Sequence, residues 1–199
     1  MTLRDPDVEK VMDKQEKGIS FRSTWLGVKA AKNPCDAWIY QEIIFDQKPD
    51  IIIETGSWYG GGALFMASLM DMIGHGQVYS IDNREFDKPV HNRIMWFKGY
   101  STDEATVKVI KELAKDKRVM VVLDSDHRQA NVYDEMKTYG SLVGKGMYMI
   151  VEDTWWEPDT EGPWLAVKKF LAEGHPFEID KSCERYLYTH NPNGYLKRK

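Results

Sequence analysis

The chain contains little cysteine and no long apolar segment. Two thiols, Cys35 and Cys183, are too few for a disulfide framework among 199 residues, and no zinc-type spacing occurs. No apolar run approaches the ~20 residues that span a bilayer, and the charged residues 1–17 lack the apolar stretch of a signal peptide. We therefore expect a reduced, cytoplasmic protein that does not associate with membranes.

An excess of positive charge is also lacking. The sequence has 27 Lys and Arg against 31 Asp and Glu, a net charge of -4 with neutral histidines. Nucleic-acid binding through phosphates needs a basic face, so we do not expect it. The basic tail Lys197-Arg198-Lys199 is interpreted as a solvated terminus. Without linkers or repeats, residues 1–199 are predicted to form a single domain with an N-terminal helical extension over about 1–48.

What the sequence does contain is a regular alternation of strand and helix patterns. Apolar runs predict strands at 51–54, 78–82, 94–97, 119–123 and 147–151, and helices at about 34–46, 61–73, 103–114, 128–142 and 163–172. This order predicts an α/β fold with a parallel sheet covered on both faces. Residues 5–17 are interpreted as a marginal helix and 21–33 as a loop. Two final strands are expected at 177–180 and 185–189.

A glycine-rich loop, Glu54-Thr55-Gly56-Ser57-Trp58-Tyr59-Gly60-Gly61-Gly62, joins the first of these strands to its helix. Glycines let a backbone approach a ligand closely, and a helix start offers unpaired N–H groups. Trp58 stands where a dinucleotide loop needs its second glycine, which disfavours a dinucleotide-dependent oxidoreductase. S-adenosylmethionine (SAM) carries no phosphate and tolerates a looser loop. Asp82 ends the next strand, where an acid can accept both ribose hydroxyls. A tight turn without a ligand is the alternative interpretation of the glycines.

Acidic residues end four of the predicted strands, at Glu54, Asp82, Asp124 and Glu152-Asp153. Ligands of such sheets bind beyond the carboxyl ends of the strands, where crowded carboxylates repel unless cations or hydroxyls lie between them. Asp124, Glu152 and Asp153 suit a hard cation such as Mg²⁺, which would bind a substrate hydroxyl and lower its pKa. Asp126 is the alternative to Asp124, and helix capping or a surface turn is the alternative without a metal.

His127 directly follows this acidic segment. A histidine with its unperturbed pKa near ~6.5 can accept a substrate proton at neutral pH, although a hydrogen bond at the helix start would equally explain it. Trp155, Trp156 and Trp164 could wall a substrate pocket or pack as a lid over the sheet.

Seven stretches, in order from about Trp25 to the C-terminus, resemble the cephalosporin hydroxylase family, which covers SAM-dependent O-methyltransferase-like proteins including rhamnosyl O-methyltransferases. The most specific are Leu123-Asp124-Ser125-Asp126-His127 and Val151-Glu152-Asp153-Thr154. The others are Pro34-x-Asp36-x-Trp38-x-Tyr40-Gln41-Glu42, Ile53-Glu54-Thr55-Gly56 with Gly60-Gly61-x-Ala63-Leu64, Ser80-Ile81-Asp82, Ser101-Thr102-Asp103 and Asn191-Pro192-x-Gly194-Tyr195-Leu196.

The resemblance implies a class I SAM-methyltransferase fold, a Rossmann-like three-layer sandwich whose seven-stranded, mostly parallel sheet has its last strand antiparallel. It implies cofactor binding by the glycine loop, with ribose contact by one acid and an adenine contact nearby; the residues concerned are Glu54, Gly56, Ser57, Gly60, Asp82 and Ser101. The chain is also similar to metal-dependent catechol-type O-methyltransferases. Their metal-binding residues correspond to Asp124 and Glu152-Asp153, and their catalytic lysine corresponds to His127. No iron triad with two histidines is present, so the word hydroxylase does not describe the expected chemistry.

From these features we expect a metal-assisted, SAM-dependent O-methyltransferase acting on a hydroxyl of a sugar or secondary metabolite. SAM and Mg²⁺ are the expected cofactors, and Asp124 and His127 are the expected catalytic residues. The alternative is a SAM-binding accessory module that supports a partner enzyme without transferring methyl groups itself. The predicted partner is a small hydroxylated substrate, and the N-terminal helix with the Trp25 region could mediate homo-oligomer formation.

Overall fold

The computed structural model describes Lys10, residues 22–186 and residues 188–199. A short antiparallel hairpin comes first, formed by β1 (Thr24–Trp25) and β2 (Val28–Lys29). The other strands are β3 (Ile51–Thr55), β4 (Gln77–Asp82), β5 (Ile94–Lys98), β6 (Val119–Leu123), β7 (Tyr148–Val151), β8 (Phe177–Ile179) and β9 (Tyr195–Arg198). They form one seven-stranded sheet in the order β5-β4-β3-β6-β7-β9-β8. β9 runs antiparallel to both of its neighbours.

The central strands are buried along their whole length. Every residue of β3 and β6 is buried, as expected for β-branched and apolar runs covered on both faces of a parallel sheet. Parallel pairing of β3 with β4 and β6 brings their carboxyl ends to one edge. The same register sets Glu54 opposite Ser80, so a polar pair lies side by side where the chain leaves the sheet.

Helices cover both faces of the sheet. They are α1 (Pro34–Gln47), α2 (Gly61–Ile73), α3 (Glu104–Leu113), α4 (Gln129–Tyr139) and α5 (Pro163–Ala172), with 3₁₀ turns at Gly140–Leu142 and Lys181–Glu184. α1 packs on α2, and α4 packs on α5. α1 begins with Asn33, whose side chain accepts a hydrogen bond from the Cys35 N–H, followed by Pro34 at its first position.

The predicted α/β three-layer fold, with its mostly parallel sheet and antiparallel last strand, is confirmed. The strand predicted at 185–189 is wrong, because the last strand is β9. Tyr195 and Leu196 pair with β7 and are fully buried, whereas Thr189 donates a side-chain hydrogen bond to Asp36 on α1. Among the described residues of that segment, Arg185 and Thr189 contact Glu42 and Asp36 on α1 instead of a ladder, so tertiary contacts override local propensity.

Three other predictions concern segments towards the two ends of the chain, and their outcomes differ. The basic tail is not simply a solvated terminus, because Lys197 and Arg198 belong to β9 and Arg198 donates to the Ser141 carbonyl at 2.9 Å. Residues 21–33, expected to be a loop, contain the β1–β2 hairpin, and Trp25 packs edge-on against Phe65 at 4.9 Å. The helix predicted at 5–17 lies outside the described residues. No helix among those described has the length and hydrophobicity needed to cross a membrane.

Candidate active site

Two adjoining cavities lie at the carboxyl ends of the central strands. One has a volume of about 740 Å³ and the other about 450 Å³. Five residues line both: Gly56, Trp58, Arg84, Asp124 and Ser125. The cavities therefore meet above β3 and β6, at the edge where ligands of open α/β sheets bind.

The glycine loop shapes the junction between these cavities. Gly56 has φ +86°, and a Cβ there would lie 1.9 Å from the backbone carbonyl oxygen of Asp124. The absence of a side chain therefore allows the loop after β3 to touch the end of β6. Gly60, also at φ +86°, precedes the first turn of α2, and its missing Cβ leaves space filled by Trp96 and Pro89. Gly60 shapes the turn but does not line either cavity.

Asp82 and Ser101 line the larger cavity. Asp82 is 6% exposed, and its carboxylate accepts hydrogen bonds from the N–H groups of Trp58 and Arg84, each at 2.8 Å. These contacts fix the carboxylate while leaving further acceptor capacity on both oxygens. Ser101 donates to the buried Glu135 on α4, which also accepts from Ser125 at 2.7 Å. Glu135 thus ties together the loops that follow β5 and β6.

Glu54 is buried at the end of β3, beside the smaller cavity. Its carboxylate accepts a hydrogen bond from Ser80, whose hydroxyl is 2.6 Å from that of Ser57. Burial raises the pKa of Glu54 to about 7, although Lys32 and the Ser80 hydrogen bond act in the opposite direction. A carboxylate held in this way favours a cationic partner in the cavity.

We expect Glu54→Gln to remove a pH dependence of stability. Because the pKa of Glu54 is raised from 4.5 to about 7, its contribution is fully present below the unfolded pKa and is lost as pH rises through about 7. The ligand-free wild type should lose about 3 kcal/mol of unfolding free energy relative to the variant between about pH 4.5 and about pH 8. Urea denaturation measures this, with the exposed Glu112→Gln as control; equal pH profiles for wild type and E54Q would contradict it.

Asp124, His127 and Asp153 form a cluster that could hold a metal ion. One ligand atom from each lies within 4.8 Å of the others. His127 Nε2 is 3.2 Å from Asp153 Oδ2 and 3.8 Å from Asp124 Oδ1. Burial, and then the neighbouring Glu152, raise the pKa of Asp124 well above its usual range. The two carboxylates are donors that a hard divalent cation accepts, whereas an imidazole is a more usual ligand of zinc, copper or iron.

Glu152 neighbours Asp124 and shares a cationic partner with it. Its carboxylate accepts hydrogen bonds from the Tyr40 hydroxyl and the Lys32 ammonium. Lys32 also lies 2.6 Å from Asp124 Oδ2. Burial lowers the pKa of Lys32, but the Asp124 and Glu152 carboxylates outweigh it and keep that pKa above its ordinary value. Lys32 thus bridges two of the three predicted metal ligands, Asp124 and Glu152, whereas Asp153 lies beside His127, and the metal-binding role of the three acids stays a prediction.

Asp126 and the tryptophans also differ in their surroundings. The Asp126 carboxylate pairs with Arg128, which lowers the pKa of Asp126, and it lines the larger cavity. Trp155 and Trp156 line the smaller cavity, with the Trp155 indole N–H 3.1 Å from Asp153 Oδ1. Trp164 packs against the hydrophobic core.

The segment after the last 3₁₀ turn is anchored to α1 by Asp36. This acid is 4% exposed and accepts from the Thr189 hydroxyl, the His190 N–H at 2.9 Å and the Tyr195 hydroxyl at 2.8 Å. Burial raises the pKa of Asp36 to about 6. The anchor brings His190 to the smaller cavity, with Nδ1 at 3.6 Å from Asp153 Oδ1.

We expect Asp36→Ala to destabilise the protein by about 2–4 kcal/mol, because one buried and two partly buried donors lose their acceptor. Urea denaturation with fluorescence detection measures the change. Asp36→Asn keeps one carbonyl oxygen and should cost less than the alanine substitution. An unchanged denaturation midpoint for D36A would show that the anchor does not stabilise the fold.

Comparisons with known proteins assign this chain to a family. The profile described as Rhamnosyl O-methyltransferase/CmcI matches residues 17–199. The chain belongs to this family. A rhamnosyl O-methyltransferase of Mycobacterium leprae (strain TN) is 33% identical over 191 residues, which are 89% of this chain and 83% of that protein. Family membership confirms the predicted class, a SAM-dependent O-methyltransferase.

Solved structures of similar fold agree with this membership. A CmcI structure with Mg and SAM matches with a TM-score of 0.71 and 21% identity, covering 90% of this chain and 77% of that one. The MycE methyltransferase from the mycinamycin biosynthetic pathway, in complex with Mg, SAH and mycinamycin VI, matches with a TM-score of 0.51 and 20% identity, over 67% of this chain and 41% of MycE. The predicted cofactors, SAM and Mg²⁺, are thus those named for structures that share the fold.

Several side chains of the site were not predicted from the sequence. Lys32 lies in a segment without periodicity, and its partners are 92 and 120 residues away along the chain. Tyr40 and Glu135 lie on helices, and their polar contacts had no signal in the helical pattern; the matching stretch from Pro34 to Glu42 contains Tyr40 and could have identified it. His190 directly precedes the matching stretch that begins at Asn191, and that adjacency is the clue that could have identified it.

Proposed function

We propose that this chain transfers a methyl group from SAM to a hydroxyl of a sugar or another small secondary metabolite, assisted by a divalent cation such as Mg²⁺. One observation carries the proposal: the cavity that holds the ribose-binding candidate Asp82 meets the cavity of the Asp124, His127 and Asp153 cluster at Gly56. A donor and an acceptor bound in adjoining cavities can be brought into line for transfer, and such positioning supplies much of the rate.

The cofactor would lie across the glycine loop. Asp82 would accept the ribose hydroxyls, and Ser101 would lie near the adenine in the 740 Å³ cavity. Glu54 and Ser57 line the neighbouring cavity, where a buried carboxylate suits the cofactor's ammonium group. Gly56 allows the close approach of the loop, and Gly60 sets its turn.

Asp124 and Asp153 would hold the divalent ion. Glu152 would be a third acidic ligand, and its carboxylate accepts hydrogen bonds from Lys32 and Tyr40. The ion, when bound, supplies Lewis-acid activation of a substrate oxygen. His127 faces the same space and would accept the hydroxyl proton, while Asp153 orients its imidazole from 3.2 Å.

The acceptor would occupy the 450 Å³ cavity, walled by Trp155, Trp156 and His190. Aromatic walls with a few polar groups are typical of small-molecule sites. The relatives named rhamnosyl O-methyltransferase make rhamnosyl compounds the first acceptors to test. That the protein is cytoplasmic, single-domain, free of nucleic-acid and membrane partners, and able to form homo-oligomers stays a prediction.

Calorimetry with SAM and S-adenosylhomocysteine (SAH), followed by transfer of a radiolabelled methyl group to a panel of rhamnosyl glycosides, tests the proposal. We expect binding of both cofactor forms, and transfer that Mg²⁺ supports and EDTA abolishes. The absence of SAM and SAH binding at millimolar ligand would contradict the proposal. Binding without transfer to any acceptor, with or without Mg²⁺, would favour the accessory module.

A further inference from the structure

The Lys32 ammonium lies inside the acidic site, although the proposed reaction gives it no role. Its side chain is 12% exposed, and its Nζ lies 2.6 Å from Asp124 Oδ2 and also donates to Glu152 Oε1. Tyr40 donates to the same Glu152 oxygen. These two acids therefore share the single positive charge of one lysine of the chain itself. A divalent ion binding them would meet a positive charge at the same oxygens, and the two cations would repel each other.

The Lys32 side chain also borders a second anionic environment. It lines the 450 Å³ cavity together with Glu54, Ser57 and Gly62. A Cβ at Gly62 would lie 2.7 Å from Glu54 Oε1 and 3.2 Å from Lys32 Cε, so the glycine leaves room for both side chains beside the start of α2. A buried carboxylate and a buried ammonium around one cavity complement the two charges of a free amino-acid group. Glu54 matches its ammonium, and Lys32 matches its carboxylate.

We propose that Lys32 couples the cation site to the amino-acid end of the cofactor. It pairs with Asp124 and Glu152 when no divalent ion is bound, and with the α-carboxylate of SAM or SAH once an ion has taken those acids. This inference rests on the proposed function, since it needs both ligands. Each ligand favours the Lys32 position that the other requires, so Mg²⁺ tightens SAH binding as much as SAH tightens Mg²⁺ binding.

Calorimetric titration of SAH in the presence and absence of Mg²⁺ measures this coupling. We expect Mg²⁺ to tighten SAH binding to the wild type about tenfold or more, and less than about twofold in Lys32→Met. Lys29→Met is the matched control: Lys29 lines the same cavity, but its ammonium lies 4.6 Å from the Tyr59 ring centroid. It should keep the wild-type coupling.

The ligand offers a second test that needs no variant. Decarboxylated SAH lacks only the carboxylate, so the wild type should bind it equally with and without Mg²⁺. K32M removes the ammonium partner of Asp124 and Glu152 and could fail to fold for that reason. In that case, the comparison of SAH with decarboxylated SAH tests the inference. Wild-type coupling in folded K32M, or coupling with decarboxylated SAH, overturns the inference. An affinity of the wild type for SAH that is equal with and without Mg²⁺ also overturns the inference, but it leaves the proposed function intact. The absence of any SAH binding by the wild type overturns the proposed function itself.

Discussion

Replacing Asp124 with asparagine should lower Mg²⁺-dependent methyl transfer about a thousandfold or more. Asp124 lies at the junction of the two cavities and belongs to the cluster with His127 and Asp153. The amide keeps the shape of the side chain and an oxygen that can accept from Lys32, but it removes one negative charge from the cation site. Loss of an activating cation removes several kcal/mol of transition-state stabilisation, and about 4 kcal/mol corresponds to a thousandfold in rate.

The measurement is turnover across a range of Mg²⁺ concentrations, accompanied by calorimetric titration of Mg²⁺. Asp126→Asn is the matched control, because it changes an acid two positions away whose carboxylate pairs with Arg128. We expect D126N to keep its Mg²⁺ affinity. If D126N loses Mg²⁺ binding while D124N retains it, the ligand role belongs to Asp126. Full turnover in D124N would remove Asp124 from the mechanism.

The placement of the strand-end acids could be predicted because each follows an apolar run of the same kind. Ile51–Thr55 and Val119–Leu123 are wholly buried strands, so the residues at their carboxyl ends had to meet at one edge of the sheet. The glycine loop could be predicted for a similar reason, since backbone constraints alone require glycine at Gly56. Local sequence patterns were therefore sufficient to predict where a residue lies whenever a single strand or loop determines its position.

The partners of the adjacent acids Glu152 and Asp153 could not be predicted in this way. Glu152 and Asp153 are adjacent in sequence, yet Glu152 contacts Lys32 and Tyr40 whereas Asp153 lies beside His127. Asp153 adopts a positive φ of 53°, so the chain turns sharply between the two side chains. The partners of Glu152 come from the hairpin–helix region at the other end of the sequence. Only the tertiary contacts of α1 and of the segment before it bring these partners to Glu152.

The C-terminal segment is a second case in which local sequence patterns do not predict the structure. Residues 185–189 and Tyr195–Arg198 both contain β-favouring side chains, and only β9 pairs with β7. Asp36 on α1 accepts hydrogen bonds from Thr189 and His190, which holds the earlier segment away from the ladder. The choice between the two segments is thus made by a buried carboxylate about 150 residues away, a distance that local propensity does not register.

Replacing His127 with asparagine should reduce the maximal rate of transfer by about a hundredfold to ten-thousandfold, the range typical of a lost general base. His127 Nε2 lies 3.2 Å from Asp153 Oδ2 and faces the cavity that Trp155 and Trp156 line. The dissociation constant for SAH should change little, because none of the proposed cofactor contacts uses His127. Rate measurements at saturating SAM and acceptor, together with SAH calorimetry, separate the two effects.

His190→Asn provides the comparison that makes this prediction specific. His190 also approaches Asp153, at 3.6 Å through Nδ1, and lines the same cavity, but it is not part of the cluster with Asp124. A base must lie close to the oxygen that the cation activates, so the loss in H127N should exceed the loss in H190N at least about tenfold. The reverse order would transfer the role of base to His190. Equal losses would indicate that both histidines act by orienting Asp153, and that the hydroxyl proton leaves by way of solvent.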